Sequence, residues 1–190
     1  MTRVSLEINE LRIRRPKKRW KIYFVLVVEH PTNAEQMVVT VVPGDPIVVV
    51  PSQNNVIDFQ GSRPDAEGLF LLSRTLPESR ELNVHLYVRH SRISTRKAGD
   101  ILNDIKDELG TGNFGEIADI LGTTAVPWLA IAKSALPLIG KILQKIPDRD
   151  MGFVSLFERF SSEFEEEEEI DGEKIGGHIN IIYSWYINRE

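Results

Sequence analysis

The chain has 190 residues, 42% of them hydrophobic, no cysteine and a formal charge of −5. This is a globular composition; it excludes a disulfide scaffold, thiol catalysis and thiolate zinc, and argues against a general nucleic-acid binder, whose domain pI usually lies above about 9. The charge is uneven, +4 over residues 1–100 and −9 over residues 101–190.

The N-terminal residues alternate polar and apolar without the unbroken apolar run of a signal peptide, so cytoplasmic residence or export by another route is expected. Val4, Leu6 and Ile8, then a parity shift to Leu11 and Ile13, predict an outer strand with a bulge near Asn9 and Glu10. Residues 21–28 are β-branched or aromatic on both parities, the pattern of a central strand covered on both faces. Turn residues at 30–35 and 43–46 separate strands expected at 37–42 and 47–50. Further strands are expected at 55–59, 68–73 and 81–89. Short strands at this spacing predict an antiparallel sandwich.

The period then changes. Ile101, Leu102, Ile105 and Leu109 form one stripe of a helix that stops at Gly110. Residues 113–121 read as a second short helix, with Asn113 as cap and Gly122 as stop. Residues 124–146 read as a longer apolar helix, with Pro127 in its first turn and Pro137 kinking or breaking it. Strand character returns at 152–157, a solvated acidic stretch runs from Glu163 to Glu173, and Ile179, Ile181, Tyr183, Trp185 and Ile187 alternate in a closing strand. The layout is one mainly β domain, with strands in 1–98 and 150–190 around a helical insertion at 99–149.

The opening strand at 4–11, the late strand at 82–88 and the closing strand at 177–186 resemble those of a C2 domain, a sandwich of eight antiparallel strands. In calcium-binding members, aspartates on two loops at one end supply the oxygen ligands a hard cation needs. The matching loops here, 14–19 and 89–97, hold no Asp. The resemblance therefore implies no metal or cofactor at that site, and binding of acidic lipid headgroups or acidic proteins instead.

The candidate site comprises Arg14, Arg15, Lys17, Lys18, Arg19 and Lys21 of one loop with Arg89, Arg92, Arg96 and Lys97 of the other, which the proposed fold brings to one end. Clustered cations attract an anionic bilayer by about 1 kcal/mol each; the plainer reading is a solvated loop surface. Trp20 beside them reads as an interfacial anchor or as a core residue. In the insert, Lys133, Lys141 and Lys145 fall within about 120° of a helical wheel. With Trp128, Leu129 and Leu136 they form a second candidate contact, which lies in a membrane interface, packs on the sandwich or joins a second copy. The acidic stretch either solvates a loop or folds over the basic end. His30, His85, His90 and His178 lack metal-ligand spacing, no G-x-S-x-G occurs, and the glycines at 110, 112 and 115 read as a helix break. The function expected is a non-enzymatic module that binds anionic membranes without calcium. The alternatives are a membrane-damaging toxin whose insert penetrates lipid, and an adaptor whose insert makes oligomer or partner contacts.

Overall fold

The computed structural model describes residues 2–15, 18–51, 54–60, 68–93, 95–110, 113–115, 120–121, 128–161 and 169–189. Twelve strands are seen among them: β1 (Thr2–Ile13), β2 (Trp20–Glu29), β3 (Gln36–Val49), β4 (Val56–Asp58), β5 (Leu69–Thr75), β6 (Glu81–His90), β7 (Asn113–Gly115), β8 (Ile120–Leu121), β9 (Trp128–Ala132), β10 (Arg149–Arg159), β11 (Glu169–Gly176) and β12 (Ile179–Arg189). Helix α1 (Ala98–Leu109) follows β6, and α2 (Leu136–Lys145) follows β9 through a 3-10 turn at Lys133–Ala135.

One sheet runs β11-β12-β1-β5-β8, with β4 also paired to β1, and the other runs β10-β6-β2-β3-β9-β7. All pairings are antiparallel. The chain is mainly β, an antiparallel β-sandwich with a helical insertion before its last strands. Between the sheets lies a core of Val4, Leu6, Ile8, Phe24, Leu26, Leu86, Trp185 and their neighbours. A second core forms on the outer face of the second sheet, where Tyr23, Val25, Val27, Val39 and Val41 meet Ile101, Leu102 and Ile105 of α1 and Ile139, Ile142 and Leu143 of α2. Both faces of β2 are thus buried, which accounts for its apolar residues on both parities.

Several elements depart from the expectation. Strand β1 is interior to its sheet, flanked by β12 and β5, and its bulge falls between Ile8 and Glu10. The expected strands 37–42 and 47–50 are one strand, β3. Its turn residues 43–46 are a bulge opposite Tyr23, since Phe24 pairs with Val42 and Ile22 with Ile47. In the predicted helix at 113–121 the described residues are strands instead, β7 and β8, which pair with β9 and β5; residues 116–119 lie outside the described residues. Residues 128–132 of the predicted long helix form β9, and among its described residues only those from Lys133 on are helical; Pro137 sits in the first turn of α2 rather than breaking it, because its missing N–H is harmless there. Gly122 and Pro127 lie outside the described residues. Part of the acidic stretch, Glu169 to Glu173, belongs to β11; residues 163–168 lie outside the described residues.

Glycine is required where the two sheets meet. At Gly176 of β11 a Cβ would collide with the backbone carbonyl of Phe153 in β10. Gly110 ends α1 at φ +66°, and its N–H donates to the carbonyl of Lys106.

Candidate functional site

Hydrogen bonding across the second sheet fixes the ends of both basic loops. Loop 14–19 leads into β2 and loop 91–97 leaves β6, and these strands pair with Ile22 opposite His90. The Ser91 N–H donates to the Lys21 carbonyl at 2.8 Å, and Lys21 Nζ donates to the Ile93 carbonyl at 3.4 Å. The Arg14 N–H donates to the His178 carbonyl, which brings the β11–β12 turn to the same end.

Arg14, Arg15, Lys18, Arg19, Arg92 and Lys97 are exposed there, and Lys21 is half-buried. Among the described residues none of these six exposed cations makes an ion pair. Lys17 lies outside the described residues. Trp20 is 1% exposed; its ring meets His90 edge-on at 5.1 Å and lies 5.8 Å below the Arg149 guanidinium, so it is a core residue and not an interfacial anchor.

Two predicted cations do not belong to the surface. Arg89, 1% exposed, donates through Nη2 to the carbonyls of Leu143 at 2.6 Å and Asp148 at 2.7 Å, with a longer bond to Ile146 at 3.3 Å. These carbonyls come at and just after the end of α2, where backbone acceptors lack helical partners and a cation is favoured. Arg96, 6% exposed, pairs with Asp104 of α1 and lies 3.5 Å from the Asp148 carboxylate. Asp148 also accepts the Tyr23 hydroxyl at 2.8 Å and the Arg92 N–H at 3.0 Å. Burial, followed by the Asp148 charge, pushes the Tyr23 hydroxyl well above its usual range. This buried hub joins β2, β6, the 91–97 loop and the end of α2.

The sequence reading missed an apolar component. Val48 (46% exposed) and Val50 (73%) continue β3 beside Trp20 and Lys21, Ile93 (42%) is in the second basic loop, and Ile175 (59%) adjoins the β11–β12 turn. All four sit at the cationic end. Val48 and Val50 read as ordinary strand residues; only the pairing Lys21–Val48 shows that this part of β3 ends beside the basic loop.

The insert contact is largely internal. Trp128 faces the inter-sheet core, Leu129 lies in the helix-side core and Leu136 is half-buried against it. Lys133, Lys141 and Lys145 are exposed, with Lys145 paired to Glu108. Among the described residues, no helix is long and apolar enough to cross a membrane, and no three His, Asp or Glu side chains converge as metal ligands would.

The reading in which the acidic stretch folds over the basic end falls on residues 163–168, which lie outside the described residues; the flanking end of β10 and start of β11 are away from the basic loops, where the Phe160 N–H donates to the Arg80 carbonyl and Glu169 pairs with Tyr186. The eleven residues of β10 span roughly 35 Å at strand rise.

No family model matches the sequence, and no curated protein matches it. Among solved structures, the chain is similar to one described as Drosophila C2-DSL-EGF1, at 6% identity and TM-score 0.41, covering 100% of this chain and 68% of that one. It is also similar to a C2 domain protein from Ramazzottius varieornatus, at 10% identity and TM-score 0.39, covering 100% and 89%.

Proposed function

We propose that the protein is a binding module whose cationic end docks on anionic membrane surfaces without calcium. The observation that carries this reading is the joint exposure of Arg14, Arg15, Lys18, Arg19, Arg92 and Lys97 with Val48, Val50, Ile93 and Ile175 at one end. Cations draw the end to acidic headgroups, and aliphatic side chains among them gain by leaving water. Loops on a rigid sheet scaffold are where binding surfaces commonly form. The burial of Ile139, Ile142 and Leu143 against the second sheet favours docking through the loops over penetration by the insert.

Flotation with vesicles containing phosphatidylserine tests the reading. Changing Arg15, Lys18, Arg19 and Arg92 together to Gln removes about 4 kcal/mol of attraction at about 1 kcal/mol each, or roughly three orders of magnitude in partitioning. Arg159→Gln, at the other end, leaves recovery unchanged. The pair Lys133→Gln and Lys141→Gln reads out any contribution of the insert. Equal recovery on neutral and acidic vesicles overturns the proposal.

A further inference from the structure

The end of the sandwich away from the basic loops holds a cavity of about 310 Å³, at the small end of the range that ligand pockets occupy (roughly 300–1,000 Å³). Its wall is the β2–β3 turn from Glu29 to Ala34, closed by Arg74 of β5, Pro77 and Lys133. Arg74 is 3% exposed, and its Nη1 donates to the Glu29 carbonyl at 2.6 Å, so a permanent cation is fixed between the rims of the two sheets. Lys133 is exposed beside it.

His30 completes the polar lining. Its Nδ1 accepts the Thr32 N–H at 3.2 Å and lies 3.4 Å from the Thr32 hydroxyl, which leaves the ring hydrogen of the neutral form on Nε2 as a donor. Among the described residues, the ionisable groups lining the cavity are Glu29, His30, Arg74 and Lys133. Glu29 has the strand parity of Val25 and Val27, which face the helices, and its backbone carbonyl is what serves Arg74. The residues lining the cavity include Arg74, Lys133, His30 and Thr32, which bring a guanidinium, an ammonium, an imidazole donor and a hydroxyl, a set matched to a small dianion with several acceptor oxygens.

We propose that this cavity is an anion site that takes a phosphate monoester group, with Arg74 and Lys133 as its charged contacts and His30 as a neutral donor. The site is separate from the docking end, and the membrane reading can fail without affecting it.

Burial, followed by the Arg74 charge, holds the His30 pKa below its usual value. A bound dianion offsets the Arg74 charge, so it raises the His30 pKa and binds more tightly as pH falls. The test is a titration of the full chain with inorganic phosphate, and with sulfate as a dianion that does not titrate near neutrality. It is followed by NMR of the histidine rings, with His30→Gln to assign the signal. The expected result is a saturable shift of the His30 signal, with a raised pKa, while His85, His90 and His178 stay still. Lys133→Glu, at an exposed position that leaves folding intact, weakens the shift roughly tenfold or more, the weight of one charge-assisted contact. Glycerol phosphate and vesicles of phosphatidic acid separate the sources: a shift with the ester alone assigns a soluble ligand, and a shift with the vesicles as well assigns a lipid headgroup. An unmoved His30 signal with phosphate and sulfate, or an unchanged titration in Lys133→Glu, overturns the site.

Discussion

Replacing Asp148 with Ala tests the buried hub that sets the second basic loop. Its side chain is fully buried and accepts the Tyr23 hydroxyl, accepts the Arg92 N–H and faces Arg96. Removing it leaves a hydroxyl and an amide without this acceptor and takes one of two carboxylates from a cation that is 5% exposed at its side chain. Breaking a buried pair by deleting one partner costs about 3–5 kcal/mol. At 190 residues that corresponds to a fall in Tm of roughly 6–20 °C, at about 2–4 °C per kcal/mol. Tyr23→Phe removes a single hydrogen bond and costs about 1–3 kcal/mol, with Asp148 left short of one donor. Combining it with Asp148→Asn gives a double-mutant cycle, in which contacting residues couple by about 0.5–3 kcal/mol. Urea and thermal unfolding supply the numbers. A loss below about 1 kcal/mol in Asp148→Ala, or strict additivity in the cycle, would refute the view that this carboxylate is the joint between sheet, loop and helix.

The apolar residues of the cationic end are separable from stability. Val50→Asp and Ile93→Asp change the exposed surface, so unfolding shifts by no more than about 0.5 kcal/mol, while surface plasmon resonance on phosphatidylserine vesicles records at least roughly tenfold weaker binding; Phe157→Asp, 52% exposed at the far end of β10, changes neither. Gly176→Ala drives a Cβ into the Phe153 carbonyl and lowers stability by several kcal/mol, at the upper end of point-mutant effects of about 4–5 kcal/mol, read by chemical denaturation. The four tyrosines, Tyr23, Tyr87, Tyr183 and Tyr186, are all raised, first by burial, with Tyr186 pushed up to about 12 by burial and the Glu169 contact. Raised folded values stabilise the fold below pH ~10, and this contribution fades as pH climbs through the folded values. Ultraviolet titration should show tyrosinate forming late and with unfolding; ordinary ionisation near pH 10 in the folded protein would contradict these burials.

What local pattern could decide was legible in the sequence. The two-parity run of β2, the alternation of β6 and β12, the bulge of β1 and the glycine stop of α1 each follow from side-chain period or backbone freedom within one segment. The missed features depend on what lies across the sheet. Residues 128–132 have helical composition yet pair with β3, because that edge offers unpaired backbone groups to an adjacent chain. Arg89 falls on the outward parity of β6, where a cation reads as solvated; only the end of α2 packed above it supplies the carbonyls that bury it. The loops' nearness was legible as a consequence of strand order, whereas the subset of cations left on the surface was set by the hub around Asp148.

The whole-chain charge of −5 is a poor guide to what a partner meets at the cationic end. Glu158, near the far end of β10, lies roughly 30 Å from the start of that strand at strand rise, several times the Debye length of about 8 Å at physiological ionic strength. At that separation its field is screened, and an approaching surface responds to the near charges. Spatial separation of charge therefore allows an acidic protein to present a cationic face, and the sandwich provides the separation by placing the ends of β2 and β6 that carry the basic loops at one rim and the far end of β10 at the other.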